Sequence, residues 1–258
     1  MKHLILGNGP AGVIAAEGIR RLRPSDEIVL IGSEDAPPYS RMAIPYLLVG
    51  NISEEGTYLR KSKDHFSKLG IQLKKARAHS LDIKNKSLKL EGSDSIHFDK
   101  LLIATGSVPV RPPIPGIDLP GVHPCWTLED ARAIQKLAKP GARVLQMGAG
   151  FIGCIIMEAL AARGVKLSVV EMGDRMVPRM MGPVAGGMIR DWCEAKGVQV
   201  FTGTKVEAIS QGAEKGLLGK LASAVGLGSD EAGGPLQVRL SNGQTVEADL
   251  VISATGVR

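Results

Sequence analysis

A chain of 258 residues with 44% hydrophobic, 22% charged and only 3% aromatic residues carries enough apolar material for an ample core, in one large domain or two of ordinary size. Its net charge of +6 suits an acidic partner or equally a scattered, solvated surface, so nucleic-acid binding is not inferred. Cys125, Cys154 and Cys193 stand too far apart for a C-x-x-C pair or a metal-ligand cluster and suit a reducing, cytoplasmic setting, while no run of about 18 uncharged apolar residues predicts a membrane span.

Residues 4–12, Leu-Ile-Leu-Gly-Asn-Gly-Pro-Ala-Gly, predict a buried strand that passes through a glycine turn into a helix over 11–23. The turn interrupts the apolar run where a signal helix would continue, so the N-terminus is taken as mature protein. Gly7, Gly9 and Gly12 have the spacing of a phosphate cradle, and Glu34, just past an apolar strand over 27–31, stands where a dinucleotide-binding βαβ unit places its ribose-binding acid. A tight turn that packs helix on strand is the alternative. Pro37 and Pro38 fix the entry to 39–47. Residues 57–75 are basic, with Phe66 and Leu69 spaced for one face of a helix whose edge is solvated. Runs at 76–83, 87–90 and 95–98, separated by turn residues, predict a small antiparallel meander. The strand over 100–106 is apolar throughout and is expected in a buried parallel sheet.

A proline-rich stretch over 109–120 is the best linker candidate, and Thr127 followed by Glu129 and Asp130 predicts a capped helix start. The grammar then repeats. Residues 144–153 form a second strand and cradle, with Gly148, Gly150 and Gly153, and the strand over 167–170 ends in Glu171. Strand-like segments follow, broken by a Gly- and Ala-rich insert over 211–235 in which Leu217, Leu218, Leu221, Val225 and Leu227 could form one helical face. That insert is either a hairpin tip or a docking element. The chain closes on Ala254-Thr255-Gly256, echoing Ala104-Thr105-Gly106.

Cradle, acid, meander and Ala-Thr-Gly strand thus occur twice, in one order and at similar intervals. In this the whole chain resembles the FAD- and NAD(P)-dependent pyridine nucleotide-disulfide oxidoreductase superfamily. The resemblance implies an α/β fold with two Rossmann-like dinucleotide-binding domains, each with a central parallel sheet and a small antiparallel meander. It implies an FAD-binding part over 1–118, an NAD-binding domain over 119–245 and a strand over 246–258 returning toward the FAD domain. FAD would be contacted by Gly7, Gly9, Pro10, Ala11, Gly12, Glu34, Arg41, Ala104, Thr105 and Gly106, with Ala78 near the adenine. NAD would be contacted by Gly148, Gly150, Phe151, Ile152, Gly153 and Glu171, with Gly256 near the nicotinamide end. Glu171 can accept from a ribose diol and would repel a 2′-phosphate, so NADH is favoured over NADPH, with Arg175 and Arg179 nearby.

Disulfide-reducing members carry a cysteine pair after the first acid, and single-cysteine members a Cys-Gly-Leu-Pro-Tyr-like segment; this chain has Met42-Ala43-Ile44-Pro45-Tyr46 and no ionisable thiol there. The segment Pro38-Tyr39-Ser40-Arg41 is closer to the electron-transfer branch of rubredoxin, ferredoxin and nitrite reductases. Tyr46 and Ile155 stand where many relatives pair a lysine with a glutamate, and no side chain is assigned as acid or base. The expected function is transfer of electrons from NADH through FAD to a redox carrier or partner subunit. The alternatives are an NADH oxidase, a peroxidase or coenzyme A disulfide reductase-like enzyme, or a nucleotide-binding fragment without turnover. The family's later Gly-Asp segment and dimerisation domain lie beyond Arg258, so a truncated chain is expected, with homodimerisation a property of the full-length form.

Overall fold

The structure, a computed structural model, describes residues 1–92, 95–212 and 235–258. The readings of the 211–235 insert and of the turn at Ser93 and Asp94 therefore lie outside the described residues, apart from the insert's ends. The chain forms two compact units, Met1–Ala43 with Ile52–Ser107 and Ile44–Asn51 with Val108–Arg258.

In the first unit β1 (Lys2–Leu6) leads through the glycine turn into α1 (Pro10–Leu22), which returns to β2 (Glu27–Gly32). The short α2 (Ile44–Val49) belongs to the second unit. After it come α3 (His65–Lys68), β3 (Ile71–Lys75), β4 (Ala78–Asp82), β5 (Ser87–Leu90), β6 (Ser95–His97) and β7 (Lys100–Ile103). The parallel sheet runs β3-β2-β1-β7, and β4-β5-β6 form the expected antiparallel meander. Successive side chains of a strand point to opposite faces, so an apolar run buries both. Ile5, Ile28 and Leu30 pack with Val13 and Ala16 of α1 and with Phe66, whereas Leu4, Val29 and Ile31 pack with Leu88 and Leu90 of the meander. The result is three layers, with the sheet between helix and meander.

Two expectations need correction here. β7 is parallel to β1 as foreseen, but Leu102 and Ile103 are 40% and 60% exposed; among the described residues β7 is an edge strand with a neighbour on one side only. The helix expected within 57–75 is the single turn α3; Leu69 ends it, Gly70 turns the chain at φ +61, and residues 71–75 are drawn into the sheet against β2.

The second unit continues with β8 (Val122–Pro124), α4 (Leu128–Leu137), β9 (Arg143–Met147), α5 (Phe151–Ala162), β10 (Lys166–Val170), α6 (Pro183–Ala195), β11 (Gln199–Phe201), β12 (Val206–Gln211), β13 (Leu236–Leu240), β14 (Thr245–Ala248) and β15 (Leu250–Ser253). Its parallel sheet has the order β11-β10-β9-β15-β8, and β12-β13-β14 form a second meander. Leu145, Met147, Val170 and Val251 of the sheet meet Val206, Ile209, Leu236 and Val238 of that meander in one core. Thr127 caps α4 in a full capping box with Asp130, as the sequence predicts, a device that contributes about 1 kcal/mol. The second stretch of this unit begins at Val108, within the part read from the sequence as 1–118. The reason lies in the backbone: Val108 and Arg258 exchange hydrogen bonds of 3.0 and 2.9 Å, and the Val110 N–H donates to the Gly256 carbonyl at 2.9 Å. Of residues 246–258, β15 pairs with β9 and β8 in the second sheet.

Candidate functional site

The first cradle is built by backbone crowding on two of its glycines and by open space at the third. Gly7, at φ +112, is held by an N–H bond of 2.8 Å to the Ile31 carbonyl, and a Cβ there would overlap the Ala104 carbonyl. A Cβ at Gly12 would overlap the Gly7 carbonyl. Close packing of strand, turn and helix therefore accounts for both. Gly9 is different. Its backbone is extended, at φ −73 and ψ −175, which any residue adopts, and a Cβ there would meet no atom within 4 Å. Neither conformation nor packing asks for glycine at this place. The turn keeps free volume in front of the N-terminus of α1, which has no side-chain cap and no acid in its first turn. Pro10 has no N–H, so Ala11 and Gly12 supply the first donors. Unsatisfied N–H groups and the positive end of the helix dipole suit a diphosphate.

The acid of this cradle is already engaged. Tyr39 donates its hydroxyl to Glu34 at 2.5 Å, Arg41 donates to the other carboxylate oxygen at 2.6 Å and to the Tyr39 oxygen at 3.1 Å, and the guanidinium carbon lies 5.6 Å from the Tyr39 ring centre. In the sequence Tyr39 stands within the Pro38-Tyr39-Ser40-Arg41 segment with no contact of its own assigned; its spacing of two residues from Arg41 is the signal for one. Beside Glu34 opens a cavity of about 790 Å³, lined by Asn8, Gly32, Pro37, Tyr58 and Leu73 among others, large enough for a nucleoside. Ala78 does not line it and packs instead against the Leu4, Val29 and Ile31 cluster. Thr105 and Gly106 are exposed just past the Ala104 carbonyl that abuts Gly7.

The second cradle repeats this plan. Gly148 has φ +94, and a Cβ there would lie 2.5 Å from the Ala254 carbonyl oxygen; a Cβ at Gly153 would lie 2.6 Å from the Gly148 oxygen. Gly150, extended at φ −72 and ψ −176, again faces no atom within 4 Å. Phe151 and Ile152 open the uncapped α5 and are exposed. Glu171 reaches back to the cradle: one oxygen accepts from the Ala149 N–H at 2.7 Å and the other from the Gly173 N–H at 2.8 Å. A carboxylate has about four lone-pair sites, so acceptor capacity remains for a diol. Arg175 is bound within its own loop, to the Met181 carbonyl at 2.8 Å and Asp174 at 2.7 Å; Arg179 is exposed. Gly256 is exposed at the end of the last Ala-Thr-Gly turn.

Thiol chemistry finds no support in this site. Burial pushes Cys125 up to about 12 and Cys154 up to about 11, and raises Cys193 as well, so all three stay protonated near neutral pH. The 42–46 segment presents Met42, 71% exposed, in place of a thiol. Among the described residues no group of His, Cys, Asp and Glu could hold a metal ion, and no helix is long and apolar enough to cross a membrane.

Comparison with known proteins agrees with this geometry. A protein of Methanocaldococcus jannaschii named NADH oxidase is 32% identical over all of this chain and 55% of its own length. The rubredoxin-NAD(+) reductase of Acinetobacter baylyi is 30% identical over 99% of this chain and 62% of its own. The solved structure of an NAD-dependent persulfide reductase from A. fulgidus superposes with a TM-score of 0.86 at 30% identity, over all of this chain and 46% of that one. The chain thus spans about half the length of the curated relatives it matches. The expected α/β fold with two Rossmann-like modules stands. The model of the pyridine nucleotide-disulphide oxidoreductase family matches residues 1–258, from the first cradle to the last Ala-Thr-Gly turn, and the chain belongs to that family.

Proposed function

We propose that the first cradle holds FAD, that the second holds NADH, and that the protein passes electrons from NADH to a separate redox carrier or partner subunit. The observation that carries this is the pair Gly9 and Gly150. Each is an extended glycine with nothing within 4 Å of its missing side chain, at an uncapped helix start; Gly182 at the start of α6 shares this, but only Gly9 and Gly150 directly follow a strand of a parallel sheet and lie between two glycines packed against backbone, which leaves the space in front of the helix for a ligand. Bound FAD supplies a ring system that accepts electrons in a pair and releases them one at a time. The chain's own residues bind and orient. Ala11 and Gly12 offer N–H groups to the FAD diphosphate, and Glu34, fixed by Tyr39 and Arg41, offers acceptor sites to its ribose. Phe151, Ile152 and Gly153 offer N–H groups to the NADH diphosphate. Glu171, pinned by Ala149 and Gly173, accepts from the ribose diol and repels a 2′-phosphate, which favours NADH over NADPH.

A carrier or subunit as acceptor is supported by relatives named rubredoxin-NAD(+) reductase, assimilatory nitrate reductase electron transfer subunit, and ferredoxin--NAD(+) reductase subunit of a benzene dioxygenase system. It is also supported by Met42 and by three protonated thiols, which offer no thiolate within these residues for cysteine-based reduction of a persulfide, peroxide or disulfide. A cytoplasmic setting fits free thiols. The test is steady-state turnover of the flavin-loaded protein with NADH and, in turn, a one-electron acceptor, oxygen or peroxide. Fast turnover with the one-electron acceptor and slow turnover with the others is expected. Faster consumption of oxygen or peroxide would replace this reading with an oxidase or peroxidase.

A further inference from the structure

The two cradles differ at one buried position. With Gly7 laid on Gly148, Ile5 of β1 corresponds to Gln146 of β9, and both side chains are fully buried. The other buried positions of β9 are Val144, Leu145 and Met147, as in any parallel strand covered on both faces. Gln146 breaks that run. Its Nε2 donates to the Gly148 carbonyl and to the Gly153 carbonyl, both at 2.9 Å, and so ties the first cradle glycine to the third. A flipped amide would set its oxygen against two carbonyl oxygens, which fixes the orientation. Oε1 is then left buried without a partner, a penalty that the aliphatic side chain of Ile5 avoids. The same loop is held from its other side, where Ala149 donates to Glu171 and accepts from the Val177 N–H at 2.9 Å. Val177 does so at φ +51, a conformation that β-branched residues rarely adopt.

We propose that Gln146 is a positioning residue for the diphosphate of the dinucleotide at the second cradle. By fixing the separation of Gly148 and Gly153 it holds the first-turn N–H groups of α5 where phosphate oxygens will meet them, so that little ordering remains to be done on binding. This rests on the reading of residues 148–153 as the NADH site. The amide's incomplete satisfaction is consistent with a residue kept for ligand geometry at the expense of core quality.

The test uses flavin-loaded protein with NADH, ADP-ribose and adenosine as probes. In Gln146→Ile, and in the unbranched, volume-matched Gln146→Met, Kd for NADH and ADP-ribose rises about tenfold, the scale of one or two lost net hydrogen bonds. Adenosine, which has no diphosphate, binds as before, and flavin reduction at saturating NADH stays within about twofold of the unaltered protein. Equal loss for all three probes, as a loosened fold would give, overturns the proposal, and so does no loss at all. If neither variant folds, the side-chain amide signals of Gln146 in the unaltered protein decide: they shift on adding ADP-ribose and not on adding adenosine, and signals indifferent to ADP-ribose overturn the proposal. Unaltered protein that binds no ADP-ribose sinks the second-cradle reading itself, and this inference with it.

Discussion

A methyl group added at Gly9 meets no atom within 4 Å, and the backbone there is extended in the way a residue before proline prefers. Gly9→Ala should therefore fold. By narrowing the unfolded ensemble it should stabilise the flavin-free protein by about 0.4–1 kcal/mol, or about 1–4 °C in Tm for a chain of this size. The same methyl occupies the space in front of α1 that the FAD diphosphate needs, so flavin affinity should fall by at least about tenfold, or 1.4 kcal/mol. Gly7→Ala should behave in the opposite sense on stability, because at φ +112 its Cβ overlaps the Ala104 carbonyl; strain of about 1–3 kcal/mol is expected before any clash is counted. The assay is thermal unfolding of the flavin-free forms by circular dichroism, with the flavin-to-protein absorbance ratio of each protein as purified. A Gly9→Ala protein that keeps the full flavin ratio, or that melts below the unaltered protein when flavin-free, would refute the reasoning.

Glu171→Ala removes the ribose acceptor and should weaken NADH by about 10- to 100-fold, the range for hydrogen bonds to a charged group, while NADPH changes less, so that the ratio of their Kd values narrows. Burial holds the His123 imidazole below its ordinary 6.5, with Asp130 opposing. Because the folded state disfavours the proton, this contribution to stability is complete above 6.5 and is lost as pH falls through the lower folded value. The urea midpoint should accordingly drop below about pH 6.5, and His123→Gln should flatten that slope. With Cys125 near 12 and Cys154 near 11, native protein at pH 8 should react with iodoacetamide at these thiols at least about a hundredfold more slowly than unfolded protein. Mass mapping of the labelled cysteines checks it, and rapid native labelling of either thiol would count against their buried, protonated state.

Both glycine turns, α1 and the α4 capping box were legible in the sequence because glycine spacing and caps are local chemistry: Gly12 answers to the Gly7 carbonyl and Thr127 to Asp130, whereas the Ile31 and Ala104 carbonyls that meet Gly7 are distant along the chain. What lay beyond was tertiary. The apolar run of β7 indicates a parallel strand but cannot show that Leu102 and Ile103 are exposed. Phe66 is buried, as its spacing suggests, yet the helix around it yields to the pull of β2 on residues 71–75. α2 is six residues long with Pro45 at its second position, so nothing periodic announces it. The roles of Tyr39 and Gln146 rest on pairs of hydrogen bonds to groups that periodicity does not count, and Gln146 in particular shows in the sequence only as a polar residue where an apolar one would pack.

The central claim is that two cradles on this chain serve FAD and NADH in one electron path. Anaerobic mixing of the flavin-loaded protein with NADH tests it most directly. The account predicts rapid bleaching of the flavin absorbance by NADH, with a much weaker response to NADPH at equal concentration. A protein that carries one FAD per chain and keeps an unchanged spectrum under NADH would contradict it.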